Sequence, residues 1–230
     1  VVLVTSKTLA EVSALSAALG LDHPVVAENG ALVAVPPGYF GTDDSPLLRL
    51  SPTYEQLCQW LWQLRQTKGY RFTGFCDMDN ADVAKHTGLS TEDAALARQR
   101  EGSEPFMWED SETALAAFME DVKAQGWRCV QGGRFWHLLG DTDKAQAAHH
   151  VLSRYRETID CHLETVALGD SPNDLPLFHV ASIAVVIRRH DGTWMDVDVP
   201  GRTIQTNGIG PIGWNEAIGS ILTELEATHV

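Results

Sequence analysis

The sequence has 230 residues, of which 44% are hydrophobic and 21% charged. These proportions exclude a disordered or fibrous chain and allow one large domain or two modest ones. A formal net charge of −14 argues against nucleic acid and anionic membranes as partners, because both are bound through basic patches. No run approaches the roughly 18 apolar residues of a membrane helix, and the first residues lack a signal peptide's basic region. We therefore expect a soluble, cytoplasmic protein.

The outer parts of the chain alternate strands with helices. In chain order, the predicted elements are a strand at 1–4, a helix at 9–19, a hairpin at 24–35, a loop at 36–46, helices at 51–66 and 144–155, a strand at 165–168, a helix at 175–180, a strand at 183–187 and a helix at 214–227. Asn29-Gly30 is typical of a hairpin turn, and Pro52 takes a first-turn position that helices tolerate. This alternation predicts a doubly wound α/β domain with a parallel sheet.

The middle of the chain has a different pattern. Its predicted elements are a strand at 71–76, two short helices between 80 and 100 that break at Gly88, a strand at 104–108, a helix at 111–125, and strands at 127–131 and 134–139. Such a mixture indicates a small α+β module. We therefore assign residues 1–69 and 141–230 to the α/β domain and residues 70–140 to an inserted α+β domain.

The four cysteines carry little signal at this level. Cys58, Cys76, Cys129 and Cys161 are widely spaced and form no Cys-x-x-Cys pair. That spacing favours a reducing compartment over a disulfide framework or a zinc site. We interpret all four as partly buried packing residues.

The strongest chemical signal is the run Gly169-Asp170-Ser171-Pro172-Asn173-Asp174, which directly follows an apolar strand. In parallel sheets ligands bind beyond the carboxyl ends of the strands. Grouped carboxylate and amide oxygens suit Mg²⁺. The same residue types favour helix starts and turns, but capping requires one of them and the run contains four. The run therefore predicts a magnesium site.

Two weaker signals could hold a phosphate. Thr5-Ser6-Lys7 offers a hydroxyl, backbone N–H groups and an ammonium group, although a Thr or Ser before a helix is more often an ordinary N-cap. Lys144 stands at the start of a predicted helix, where a lysine is mildly unfavourable unless an anion lies nearby. A solvated surface lysine is the alternative interpretation.

Together these residues resemble the phosphatases of the haloacid dehalogenase (HAD) superfamily. Thr5, Lys144 and Gly169-Asp170-x-x-Asn173-Asp174 look like the second, third and fourth motifs of that superfamily in order and spacing. Four further runs are similar to the mannosyl-3-phosphoglycerate phosphatases within it: Ser6-Lys7-Thr8, Ala27-Glu28-Asn29-Gly30-Ala31, Glu104-Pro105-Phe106 and Gln131-Gly132-Gly133-Arg134-Phe135-Trp136-His137. The resemblance covers nearly the whole chain. It implies that the inserted module is a cap that selects the substrate.

The resemblance also implies a mechanism and a set of site residues. An aspartate would attack the phosphate ester of mannosyl-3-phosphoglycerate, and water would hydrolyse the resulting aspartyl-phosphate with Mg²⁺ as cofactor. The implied residues are Thr5, Lys144, Asn173 and Asp174 for catalysis, Asp170 and Asp174 for the metal, and Ser6, Lys7, Asn29, Gly30, Arg134, His137 and Arg188 for the substrate. From periodicity alone, Arg134 and His137 could equally lie on the wet face of a strand. Arg188 could likewise be a solvated strand end. The partner would be a small anionic phosphosugar, and the protein a monomer or homodimer.

One motif of the superfamily is absent from the sequence. An Asp-x-Asp-Gly-Thr run, which supplies the nucleophile, should precede Thr5. Asp191-Gly192-Thr193 copies only its tail, and we interpret it as a turn. Asp77-Met78-Asp79 has the spacing of the two aspartates but no Gly-Thr. We expect a stretch of the natural protein to precede Val1, and this chain alone to be inactive. Another sugar-phosphate phosphatase, such as one for a sucrose phosphate, and a non-catalytic phosphosugar-binding module stay open as alternatives.

Overall fold

The structure is a computed structural model that describes residues 1–41 and 46–228. Part of the predicted loop at 36–46 therefore lies outside the described residues. The chain divides into two compact units, Val1–Ile159 and Asp160–Val230. Each unit is described by itself below.

The first unit contains two sheets. Its strands are β1 (Leu3–Val4), β2 (Val25–Ala27), β3 (Leu32–Ala34), β4 (Leu47–Arg49), β5 (Phe72–Gly74), β6 (Ser103–Trp108), β7 (Trp127–Gly132) and β8 (Phe135–Gly140). The sheet order is β1-β2-β3-β4 in one and β5-β6-β8-β7 in the other. Only the β1/β2 pair is parallel among the described strands of this unit. The second sheet is thus fully antiparallel, as expected for an α+β module.

Six α-helices accompany these sheets in the described part of the first unit. They are α1 (Leu9–Leu19), α2 (Tyr54–Lys68), α3 (Asn80–Thr87), α4 (Thr91–Ala97), α5 (Glu112–Ala124) and α6 (Lys144–Thr158). The predicted break between α3 and α4 is confirmed, because Gly88 takes the left-handed conformation that ends α3 (φ 83°). The predicted start of α2 is wrong. Thr53 rather than Ser51 caps the helix. The Thr53 hydroxyl accepts a hydrogen bond from Gln56 N, and Thr53 N donates one to the side-chain oxygen of Gln56. Pro52 therefore lies outside the helix.

Helix α2 packs against the antiparallel sheet. Leu57, Leu61 and Leu64 repeat at helical spacing and form one buried stripe. The core cluster that contains this stripe also includes Phe72, Phe106, Phe118, Val122 and Leu138. Helix α2, which we assigned to the α/β domain, thus contributes to the core of the middle segment. The predicted domain boundaries themselves stay a prediction.

The second unit is a parallel sheet covered by helices. Its elements are β9 (Val166–Gly169), α7 (Leu175–Phe178), β10 (Ile183–Arg188), β11 (Arg202–Ile209) and α8 (Pro211–Thr228). Both β9 and β11 pair with β10 in parallel. We did not predict β11, because its sequence lacks the apolar run typical of a buried parallel strand; half of its residues are exposed. Ala217 and Ile221 of α8 pack on the inner residues of β10.

Among the described residues, no helix combines the length and the apolar character that crossing a bilayer would require.

Candidate active site

The first part of the candidate site is the loop that follows β1. Thr5 N donates to Val26 O at 2.9 Å, so the loop leaves the sheet directly after the β1/β2 pair. The hydroxyl oxygen of Thr5 accepts a hydrogen bond from Lys7 N at 3.2 Å. The ammonium group of Lys7 donates to Glu11 at 2.8 Å. Thr5 therefore stands at the carboxyl end of a strand, as predicted, while the charge of Lys7 is paired along the surface of α1.

The hairpin turn after β2 is fastened to this loop. Glu28 N donates to Lys7 O and Asn29 N donates to Thr5 O, both at 2.9 Å. Glu28 and Asn29 adopt left-handed backbone conformations, with φ of 52° and 58°, which cost energy in non-glycine residues. The predicted turn at Asn29-Gly30 is confirmed. Its strained shape brings two backbone amides onto the Thr5–Lys7 loop.

The same turn contacts the start of α6. A Cβ atom built on Gly30 would overlap the carbonyl oxygen of Asp143, so this position admits only glycine. The hydroxyl of Thr142 donates to Gly30 O at 3.2 Å. Lys144, the first residue of α6, is only 5% exposed. The alternative interpretation of Lys144 as a solvated surface lysine is therefore excluded. Residues 5–7, 28–30 and 142–144 form what we call the three-segment cluster.

His137 on β8 is buried beside this cluster. Burial, the charge of Arg100 and the charge of Lys144 lower the pKa of His137 to about 3. The imidazole is therefore neutral at neutral pH. Its Nδ1 atom has no hydrogen-bond partner among the described residues. The expectation that His137 could lie on a wet strand face is wrong, because this residue points into the protein interior.

Sequence reasoning missed a buried ionic network next to the cluster. Glu28 is fully buried and accepts hydrogen bonds from Glu101 N at 2.9 Å, Gly102 N at 3.1 Å and the Ser103 hydroxyl at 2.7 Å. The guanidinium of Arg100 lies 4.0 Å from Glu28 and donates to Ser6 O at 3.1 Å. In the sequence, Arg100 belongs to a run of polar residues that is typical of a solvated segment. No local signal distinguishes it.

Arg134 and Arg188 already make contacts within their own units. Arg134 is exposed on the turn before β8 and donates to Thr87 O at 3.3 Å, at the end of α3. Arg188 donates to Gly192 O at 3.0 Å, and its guanidinium lies 4.9 Å from the centre of the Trp194 ring. Arg188 is thus not a freely solvated strand end. The substrate-binding role of both residues stays a prediction.

The acidic loop of the second unit is held by hydrogen bonds within itself. Oδ2 of Asp174, a residue only 8% exposed, accepts from Asp170 N at 3.3 Å and from Ser171 N at 3.1 Å. The Ser171 hydroxyl also donates to Asn173. Arg189, which we had not singled out, donates to Asp170 O at 2.7 Å. The loop thus holds its shape through contacts between near neighbours.

The donor set of this loop suits Mg²⁺. The side chain of Asp170 is exposed, and no hydrogen bond or ion pair engages its carboxylate within residues 1–41 and 46–228. An accessible carboxylate with an amide and a second carboxylate nearby matches the hard oxygen ligands that Mg²⁺ prefers. Asp174 has one oxygen committed to loop amides. Its contribution is therefore partly to position Asp170.

The two partial copies of the missing motif have structural roles. Asp191 accepts from Thr193 N at 2.9 Å, which confirms the predicted turn. Asp77 forms an ion pair with Arg65, and Asp79 caps α3. Each of these three carboxylates is engaged in a structural contact and none is an unengaged nucleophile. The predicted meeting of Thr5 and Lys144 with Asp170 would join the two units, and it stays a prediction.

A curated protein matches almost the whole sequence. The sequence is 34% identical over 226 residues to the glucosyl-3-phosphoglycerate/mannosyl-3-phosphoglycerate phosphatase of Methanococcoides burtonii. The aligned region covers 95% of this chain and 83% of the relative. The chain belongs to this phosphatase family. No protein-family model matches it.

Solved structures agree with membership of the glucosyl-3-phosphoglycerate/mannosyl-3-phosphoglycerate phosphatase family at the level of fold. A Thermoplasma acidophilum protein matches with a TM-score of 0.63 and 19% identity, covering 98% of this chain and 82% of that chain. A HAD phosphatase from Bacteroides thetaiotaomicron matches with a TM-score of 0.59 and 16% identity, covering 95% and 80%. The predicted HAD-like α/β fold with an inserted α+β cap is confirmed.

Proposed function

We propose that the protein hydrolyses the phosphate monoester of mannosyl-3-phosphoglycerate and releases mannosylglycerate. The observation that carries this proposal is the buried position of Lys144, which the three-segment cluster fastens to Thr5. A cation beside a hydroxyl and backbone amides offers complementary groups to a phosphoryl group. The name of the Methanococcoides burtonii relative supports a glycosyl-3-phosphoglycerate as substrate.

Each residue of the cluster would have a distinct task. Because the Thr5 oxygen already accepts from Lys7 N, its own O–H is available to donate to a phosphoryl oxygen. Lys144 would neutralise charge on the transferring group. Ser6, Asn29 and Gly30 would line the same place. Neutral His137 could donate a hydrogen bond to the sugar without adding charge, and Arg134 could bind the glycerate carboxylate through its fork. Arg188 and Lys7 keep their predicted roles as substrate contacts.

The metal site would lie on the acidic loop. Asp170 and Asp174 would hold Mg²⁺, and Asn173 would help to orient Lys144 and the waters on the metal. When bound, Mg²⁺ neutralises charge on the phosphoryl group and orients it. Hydrogen bonds from the amides of residues 170 and 171 to Asp174 keep the loop in shape for this purpose.

The proposed reaction requires an aspartate nucleophile and proceeds through an aspartyl-phosphate. That aspartate would belong to an Asp-x-Asp-Gly-Thr run, which the 230-residue sequence does not contain. We therefore expect little or no turnover from the 230-residue chain alone, and Mg²⁺-dependent turnover when a stretch with this run precedes Val1. Phosphate release by the shorter chain would contradict this requirement.

The inserted cap would select the substrate, and the protein would work in the cytoplasm as a monomer or homodimer. The four cysteines are free thiols, which supports a reducing compartment. Size-exclusion chromatography with light scattering would determine the oligomeric state.

The substrate can be tested with the protein that carries the nucleophile run. Phosphate release would be measured with mannosyl-3-phosphoglycerate, its glucosyl analogue and sucrose phosphate, each with and without Mg²⁺. We expect the glycerate esters to be preferred, and Arg134→Ala to reduce kcat/KM for them more than for sucrose phosphate. Preference for sucrose phosphate would favour the alternative phosphatase. Binding without any turnover would favour the non-catalytic module.

A further inference from the structure

Two cysteines that are far apart in the sequence meet in the first unit. Cys58 lies on α2, and Cys76 lies in the 3-10 turn Phe75–Asp77 that follows β5. Their Sγ atoms and a carboxylate oxygen of Glu104 on β6 all lie within 4.8 Å of one another. Cys58 and Cys129 are partly buried, as we interpreted all four cysteines from the sequence, whereas that interpretation is wrong for Cys76 and Cys161, which are exposed.

The carboxylate in this group is buried and only partly satisfied. Glu104 is fully buried, and its Oε1 atom accepts from Cys76 N at 2.9 Å. Its Oε2 atom has no partner in hydrogen-bonding geometry among the described residues. The Tyr54 hydroxyl lies near this carboxylate, and burial together with the charge of Glu104 raises the pKa of Tyr54. A buried carboxylate oxygen without a partner carries a desolvation cost. A cation would remove that cost.

We propose that Cys58, Cys76 and Glu104 form a binding site for a thiophilic divalent cation of the Zn²⁺ type. In a tetrahedral site with Zn–S near 2.3 Å and Zn–O near 2.1 Å, ligand atoms are separated by about 3.6–3.8 Å. The observed group is within about 1 Å of that spacing, which side-chain rotation can close. Water would occupy the fourth position, and because Cys76 is exposed the ion can enter from solvent.

Charge and protons balance in this site. The ion displaces to solvent a proton from each thiol and the proton of the Glu104 carboxyl group where that group is protonated. It then binds two thiolates and one carboxylate, which leaves one net negative charge. Burial lowers the pKa of Arg65, but its pairing with Asp77 and the nearby Cys76 and Glu104 raise it above the usual value. Arg65 is therefore close to two of the proposed ligands. Its guanidinium offsets the remaining charge. Sulfur ligands also discriminate against Mg²⁺, which prefers oxygen.

The site is made of residues other than those proposed for phosphatase chemistry, and it does not depend on that function. It would connect α2, the turn after β5 and strand β6. All three elements border the sheet on which the stripe of α2 packs. A metal there would therefore stabilise the antiparallel module.

Titration of the reduced, metal-free protein with Co²⁺ tests the site. We expect one equivalent to produce a thiolate-to-Co²⁺ charge-transfer band, excess Zn²⁺ to abolish it, and excess Mg²⁺ to leave it unchanged. Cys58→Ser and Cys76→Ser should weaken Co²⁺ binding at least tenfold, and Glu104→Gln about tenfold. Cys161→Ser, which changes an exposed cysteine of the second unit, is the matched control and should bind normally.

A second measurement avoids variants that fold poorly. Zn²⁺ should slow alkylation of Cys76 by iodoacetamide at least tenfold in the unaltered protein, while the rate at Cys161 stays the same. A missing charge-transfer band, a band that survives both cysteine substitutions, or equal alkylation rates with and without Zn²⁺ would overturn the proposal. So would a Cys58–Cys76 disulfide that persists under reductant.

Discussion

The three-segment cluster and the acidic loop are built in opposite ways. The cluster joins residues that are up to 112 positions apart in the sequence, as in the bond from Thr142 to Gly30. The loop closes through bonds between residues three or four positions apart, as in those from Ser171 and Asp170 to Asp174. A site made of near neighbours can be identified from a short motif. A site made by distant segments requires the fold.

The largest expected effects separate the chemical roles of the two regions. In the protein that carries the nucleophile run, we expect both Lys144→Met and Asp170→Asn to reduce kcat by about 10²–10³-fold, because each would remove a charge that we propose acts on the phosphoryl group, directly or through Mg²⁺. Raising the Mg²⁺ concentration should partly rescue Asp170→Asn and should not rescue Lys144→Met. Steady-state kinetics across a Mg²⁺ series measure this difference. Equal responses to Mg²⁺ would contradict the assignment of the metal to the acidic loop.

The distant contacts of the cluster can be broken at a single glycine. Gly30→Ala should lower the free energy of unfolding by at least about 3 kcal/mol, because the new methyl group overlaps the Asp143 backbone. Gly20→Ala is a matched control, since Gly20 also has a positive φ (65°) but no atom stands within 4 Å of its Cβ position. It should cost only about 1–2 kcal/mol. Urea denaturation of both variants gives the comparison, and similar losses would show that the close approach at Gly30 is unimportant.

A change in the acidic loop should remain local. Asp174→Asn removes the charge that accepts the amides of Asp170 and Ser171, and we expect a loss of about 1–3 kcal/mol. Hydrogen exchange should become faster at those two amides and stay unchanged at Asn29 of the cluster. Accelerated exchange at Asn29 would show that the two regions are coupled.

Acid should weaken the packing around His137, which lies beside the three-segment cluster. The pKa of His137 is lowered from 6.5 to about 3 by burial and by the charges of Arg100 and Lys144. The stability that neutral His137 contributes is therefore present above pH 6.5 and is lost as the pH falls towards 3. The slope is at most about 1.4 kcal/mol per pH unit.

The same pH range contains an opposing group. Burial raises the pKa of Glu104 from 4.5 to about 7. Its contribution to stability is present below pH 4.5 and is lost as the pH rises through 7. Denaturation of the unaltered protein and of His137→Gln between pH 4 and 7 isolates the histidine. Equal pH slopes in the two proteins would contradict a depressed pKa at His137.

Whether a feature could be predicted from the sequence depended largely on whether its contacts are local or distant. The end of α3 at Gly88, the turn at Asp191 and the Asp174 loop all depend on neighbours in sequence, and the sequence predicted each of them. The start of α2 was wrong because Ser51-Pro52 and Thr53 offer competing caps, and only the bond to Gln56 distinguishes them. Strand β11 was missed because a partly exposed strand need not be apolar.

Residue pairs that are far apart in the sequence showed no pattern from which their contact could be predicted. The segments that contain Arg100 and Glu28 are joined by a hydrogen bond between residues 74 positions apart. In the sequence, neither the arginine nor the glutamate indicates that its side chain is buried. Cys58 and Cys76 likewise come together only in the fold, where helix α2 lies beside the turn after β5. Thr5 and Lys144, which we propose bind phosphate, were identified by their resemblance to a family. The contacts that hold them required the structure.

The fully buried side chain of Glu28 has a consequence for synthesis on the ribosome. Until residues 101–103 have emerged, this carboxylate has none of the three donors that it meets in the finished protein. A nascent chain with only the first hairpin would have to bury an uncompensated charge, which is costly. The opening hairpin should therefore stay undocked until the first strands of the inserted module are made. Early translation products would then be poorly protected from proteases until that moment.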